Sequence, residues 1–145
     1  MTEEQFLETV NRGGFLEHAC VFGHRYGTPA EPVYRLLDSG HTVLLEIDVQ
    51  GALQVFDKLP DALGIFVMPP SDQELRRRLS SRARDDQQTI EKRLAKAHWE
   101  IEQARACGRY TYTVVNDDLD HAVEQVKNII TQQQQPQTGS CAKGE

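Results

Sequence analysis

TVLLEIDVQGALQVFDKLPDALGIFVMPP, residues 42–70, is the stretch whose pattern decides the fold. Its opening, TVLLEIDV (42–49), is a nearly continuous apolar run rich in branched side chains, as expected of a strand covered on both faces. GALQVFDKL (51–59) reads as a helix, and GIFVMPP (64–70) as a second buried strand halted by its double proline. Strand, helix and strand in so short a span predict a parallel α/β sheet with right-handed crossovers.

The flanks fit that alternation. Thr2 with Gln5 forms a capping-box pattern, and Phe6, Leu7 and Val10 share a helical face before Gly13-Gly14 stops it. FLEHACVFGHRYGT (15–28) is apolar, aromatic and punctuated by glycine, which predicts short strands and turns. Residues 29–39 look helical, with Pro29 in the first turn and Gly40 just past the end. Ser71 with Glu74 opens a basic helix reaching about Arg82. Ile90, Leu94, Ala97, Ile101 and Ala104 recur at steps of three and four, predicting a long helix that Gly108 ends. YTYTVVN (110–116) is a third strand, and Asp118 caps a last helix carrying Ala122, Val123, Val126, Ile129 and Ile130. The tail, QQQQPQTGSCAKGE (132–145), has no apolar periodicity and is expected to be disordered.

Composition narrows the function classes. The 145 residues are 39% hydrophobic and 26% charged, ordinary for one globular domain. No apolar run approaches the roughly 20 residues that span a bilayer. The opening MTEEQFLETV is acidic and lacks the long apolar core of a signal peptide. Cys20, Cys107 and Cys141 are scattered, with no paired spacing for a disulfide framework or a zinc site. A cytoplasmic protein is expected, without a membrane partner. Net charge is −6, yet residues 71–98 hold eight of the 16 Lys and Arg against five of the 22 acids. That segment is +3 and the remainder −9, so the chain suits a small polyanion better than nucleic acid. Ligands of such sheets sit at the carboxyl ends of the strands, here Glu46-Ile47-Asp48 and Asn116-Asp117-Asp118. Pattern alone supports an α/β protein that handles a small anion.

Four strings are more specific: FLEHACVFGHRYGT, LLEIDVQGA, IFVMPPSDQELRRRL and TVVNDDLDHAV. In order and spacing, from about Phe6 to Ile130, they resemble the guanylate kinase family of P-loop nucleoside monophosphate kinases. The resemblance implies a parallel-sheet P-loop kinase core lacking its first (P-loop) strand, with part of the GMP-binding region and a helical lid. It implies a domain over residues 1–131, with a GMP-binding part at about 1–28. The core would take about 29–70 and 108–131, and the lid and long helix about 71–107. The implied reaction moves the γ-phosphoryl group of Mg·ATP to GMP, giving ADP and GDP. ATP, Mg2+ and GMP are therefore the expected ligands.

Residue by residue, Glu17 resembles the carboxylate that accepts from guanine N1 and N2, two donors on one edge that adenine lacks. Tyr26 matches the tyrosine that bonds the GMP phosphate, and Thr28 a hydroxyl at the base. Asp48 matches an acid of the nucleotide cleft, with Glu46 beside it. Arg82 and Arg93 match lid arginines that close on the phosphates and serve catalysis, with Arg78 one turn before Arg82. Their planar forks meet phosphate oxygens bidentately. Asn116 matches an asparagine on the adenine side. Arg-Ala-Arg at 82–84 and His24-Arg25 depart from the usual family residues. Without the resemblance, Glu17, Tyr26 and Thr28 could be turn and surface residues, Glu46 and Asp48 helix caps, Asn116 a turn former, and Arg76, Arg77, Arg78, Arg82 and Arg84 a solvated helix face. The histidines show no spacing that suggests a metal site.

No G-x-x-x-x-G-K-[ST] string occurs in the 145 residues. The resemblance places that loop, and two arginines and a tyrosine for the GMP phosphate, upstream of residue 1. Phosphoryl transfer rests on positioning and charge neutralisation, so efficient catalysis by these residues by themselves is not expected. A catalytically inactive binding module of the same fold, and a gene fragment, are the alternatives. In the family the P-loop strand lies between those matched by 42–49 and 64–68, so the expected isolated product is destabilised or aggregation-prone. A thermal scan showing a cooperative transition from a monomer would overturn that expectation.

Overall fold

The computed structural model describes residues 1–21, 23–82 and 87–134, the side chain of Arg82 excepted. The chain is a mixed α/β protein of two compact units. The first comprises Met1–Gly64 and Ala95–Thr111, and the second Ile65–Leu94 and the chain from Tyr112 onward.

The first unit opens with α1 (Glu3–Asn11), whose capping box is complete: Gln5 N–H donates to Thr2 Oγ1 at 3.2 Å, and Thr2 N–H to Gln5 Oε1 at 2.9 Å. Past Gly13, at φ +69°, the chain enters an antiparallel hairpin of β1 (Phe15–Val21) and β2 (His24–Pro29). A bulge between Phe15 and Glu17 sets the register, so that Glu17 faces Thr28 and Ala19 faces Tyr26. Phe6 of α1 packs on Phe15, ring centroids 4.7 Å apart, and Arg25 reaches from β2 to Glu3 at 2.9 Å. α2 (Ala30–Asp38) follows the hairpin directly.

α3 (Val49–Lys58) lies against β1 and occupies the edge that β2 leaves open. Gln54 accepts from His18 N–H at 3.1 Å and donates to His18 C=O at 2.7 Å, as a neighbouring strand would. Lys58 Nζ donates to the carbonyls of Phe15 and Leu16 at 2.9 and 2.7 Å. Leu16, Ala30, Val33 and Val55 form the core beneath, with Val43, Leu45, Ile47, Leu59 and Ala62 packed on it. Arg109 secures the end of α3, donating to Pro60 C=O at 2.6 Å with its guanidinium 5.1 Å above the Phe56 ring.

The expected strand at 42–49 is corrected. Residues 41–48 join no ladder, and α3 already begins at Val49. The segment is strand-like only in its side chains: Val43, Leu45 and Ile47 pack inward, whereas Glu46 is exposed and Leu44 is 76% exposed. The apolar run predicts two covered faces, whereas only one face meets the core. Among the described residues no strand lies beside it to complete a sheet.

β3 (Gly64–Met68) and β4 (Tyr110–Val115), which belong to the second unit from Ile65 and from Tyr112 onward, pair as a parallel two-stranded sheet, extended where Asn116 N–H donates to Met68 C=O at 2.8 Å. α4 (Asp72–Arg82) starts where Glu74 N–H donates to Ser71 Oγ at 3.2 Å. α5 (Gln87–Cys107) buries Ile90 and Leu94, and its part beyond Leu94 belongs to the first unit. Gly108, at φ +63°, ends it as expected. α6 (Leu119–Gln134) is capped by Asp118, whose Oδ1 accepts from His121 N–H at 2.9 Å. It runs into the segment expected to be disordered, and the rest of that tail, 135–145, lies outside the described residues.

Gln54→Ala leaves the His18 amide and carbonyl without their partner. The expected result is a loss of about 1–3 kcal/mol, read from urea unfolding against the parent chain.

Candidate functional site

The hairpin places four residues on one face by alternation: Glu17 and Ala19 from β1, Tyr26 and Thr28 from β2. Glu17 is a charged residue at 5% exposure, and burial of a carboxylate demands partners. The Thr28 hydroxyl donates to its Oε1 at 2.6 Å. Oε2 lies over Gly51 of α3, where an added Cβ would stand 2.4 Å from it and 3.1 Å from Cδ. Gly51 is thus the absent side chain that admits the carboxylate. Tyr26, by contrast, is 58% exposed.

Asp48 ends the extended segment and caps α3, Oδ1 accepting from Gly51 N–H at 2.9 Å. Its Oδ2 receives Lys96 Nζ at 3.2 Å, and the same ammonium lies 3.2 Å from Glu100 Oε1. Capping and a place in the site, the two readings of Asp48, are therefore compatible in one side chain. Nearby, the Tyr110 phenol is pushed up to about 12, chiefly by burial, with the Glu100 and Asp48 carboxylates adding to it. Tyr110 also packs edge-on against Phe56, centroids 5.4 Å apart.

The remaining candidates lie in the second unit. Arg78 Nε donates to Glu74 Oε1 at 2.6 Å, and Arg77 binds the same carboxylate through both its oxygens. Those bonds, Arg77 first and then Arg78, hold the Glu74 carboxyl down at about 2. Arg76 bridges from α4 to Glu91 of α5 at 2.7 Å. Arg93 is half-buried on α5, its Nε shut off from solvent. Asn116 sits immediately beyond β4 and is anchored through its backbone. Arg82 falls in the last turn of α4, and its side chain lies outside the described residues, as does Arg84.

The structure thus gathers Glu17, Thr28 and Asp48 about Gly51, with Tyr26 on the same hairpin face and Glu46 turned to solvent. Arg78, Arg82, Arg93 and Asn116 form a separate set in the other unit. Among the described residues, no three His, Cys, Asp or Glu side chains meet where they could hold a metal ion. Sequence reasoning passed over Gly51, Gln54, Lys58 and Lys96. Gly51 opens the helix expected at 51–59, where a glycine needs no packing reason; only the start of α3 at Val49 sets it inside the first turn. The other three act over sequence separations of 36 to 48 residues and left no local signal.

A buried carboxylate braced by a hydroxyl is thus set on a mixed α/β frame. A family model described as guanylate kinase matches residues 1–133. The guanylate kinase of Neisseria meningitidis serogroup A is 47% identical over 130 residues, covering 90% of this chain and 62% of that protein. A guanylate kinase of Thermus thermophilus is 50% identical over 126 residues, or 87% of this chain and 56% of its relative. The crystal structure of guanylate kinase from Anaplasma phagocytophilum matches with a TM-score of 0.77 at 34% identity, covering 94% of this chain and 65% of that one. The chain belongs to the guanylate kinase family, and it spans 62% and 56% of the lengths of the two curated relatives.

Gly51→Ala tests the packing of Glu17. An alanine within a helix ordinarily stabilises by up to about 1 kcal/mol over glycine, and at Gly51, in the first turn of α3, any such gain is expected to vanish. In a Glu17→Ala background it should return. Additive stabilities across the four chains in urea unfolding would show that the two residues do not press on each other.

Proposed function

We propose that this chain supplies the GMP-recognising part and the lid arginines of a guanylate kinase, which transfers the γ-phosphoryl group of ATP to GMP. In that reaction an oxygen of the GMP phosphate bonds to the γ-phosphorus, and the bond from that phosphorus to its bridging oxygen breaks. ADP leaves and GDP is formed. Mg2+ enters with ATP as part of the substrate.

The observation that carries the reading is Glu17. A carboxylate at 5% exposure, braced by the 2.6 Å bond from Thr28, offers an acceptor edge fixed in direction. Guanine presents two adjacent donors to such an edge, and adenine would leave the buried charge unmatched. A site built around a buried polar group rejects the ligand that cannot satisfy it. In this reading Thr28 holds Glu17 and bonds the base, and exposed Tyr26 meets the GMP phosphate. Asp48 and Glu46 belong to the cleft around the nucleotide. Arg82 and Arg93 neutralise charge on the transferred group, while Arg78 and Asn116 serve the ATP side. Guanidinium groups suit this work because they stay protonated and bind oxygens in pairs.

Calorimetric titration of the native protein with GMP and AMP, followed by an assay for ATP-dependent GDP formation, tests the reading. GMP should bind and AMP should not, and Glu17→Gln should weaken GMP by roughly ten- to a hundredfold. A folded native protein that ignores both nucleotides would overturn the reading and favour a binding module that uses the same pocket for a peptide.

A further inference from the structure

We propose that Lys96 is a positioning residue of the GMP site, fixing the Asp48 carboxylate beside Glu17 and offsetting its charge. The inference rests on the GMP-binding reading above and adds to it a residue from α5, far in sequence from the hairpin.

Gly51 is where two carboxylates converge. Glu17 Oε2 takes the space its side chain would fill, and Asp48 Oδ1 holds its N–H at 2.9 Å. Two like charges directed at one glycine disfavour each other, and both disfavour an approaching phosphate. Glu100 adds a second negative charge beside Lys96. Lys96 sets its ammonium 3.2 Å from both Asp48 and Glu100.

The geometry divides the work within Asp48. The cap uses Oδ1, which fixes the side chain to the first turn of α3, and Lys96 takes Oδ2. A carboxylate held at both oxygens has one orientation in place before the nucleotide arrives, so less ordering remains at binding. Lys96 and Asp48 are 24% and 18% exposed, so solvent screens the pair less than it would a surface pair. Without Lys96 the cap would persist, but the site would carry an uncompensated negative charge against an anionic ligand. Lys96 acts here through Asp48, without needing to touch the nucleotide.

The test measures GMP affinity of the native protein and of Lys96→Met, Lys96→Arg, Asp48→Asn and the Lys96→Met/Asp48→Asn pair, with a thermal midpoint for each. Lys96→Met should weaken GMP roughly three- to tenfold, and Lys96→Arg should recover most of that loss. On the Asp48→Asn background, Lys96→Met should cost less than in the wild type, because only the Glu100 charge is left for it to offset. Wild-type affinity in Lys96→Met, or equal losses with and without Asp48, would overturn the inference. So would a lowered midpoint with unchanged affinity, the mark of a purely structural role. If wild-type protein binds no GMP, the functional reading fails and this inference with it. GMP binding indifferent to Lys96→Met removes the inference alone.

Discussion

A strand with one hydrogen-bonded neighbour still has a second row of amides and carbonyls to satisfy, and β1 meets that demand through a helix. The Gln54 amide matches His18 in both directions, while Lys58 gathers the carbonyls of Phe15 and Leu16. These bonds set α3 along β1, and the Leu16–Val55 core closes beneath them. The arrangement also fixes where α3 begins. Gly51 is brought under Glu17, and Asp48 is brought to the same glycine as a cap. The carboxylates of the candidate site are therefore placed by the element that shields the edge of the hairpin.

Much of this was legible in the chain. Thr2 with Gln5, Asp118 before α6 and Gly108 after α5 are local signals, and each acts where its spacing put it. The alternation of Ile90 and Leu94 with the later apolar residues likewise located α5. The hairpin pairing of Glu17 with Thr28 follows from strand alternation once the register is known, but the bulge that sets it has no local sequence mark.

Residues 42–48 were less legible, for a definite reason. Hydrophobic pattern reports what a side chain can bury, whereas a ladder requires backbone from another segment. Val43, Leu45 and Ile47 satisfy the first condition without meeting the second. The Asp48–Lys96 pair was hidden differently: each residue is ordinary in its own helix, and only folding brings them within 3.2 Å. Family resemblance supplied Glu17, Tyr26, Thr28 and Asp48 as names. The structure adds what supports two of them, a hydroxyl for Glu17 and a lysine for Asp48.

Glu74, bonded to both Arg77 and Arg78, has a consequence for how α4 tolerates change. One carboxylate with two guanidinium partners is a redundant joint: replacing either arginine leaves the other in place, while replacing the glutamate releases both. Sequence drift at Arg77 is therefore buffered by Arg78, and drift at Arg78 by Arg77. Selection on the glutamate is undiluted by any such reserve, so over evolutionary time the acid should be the fixed point about which the basic residues of this helix vary.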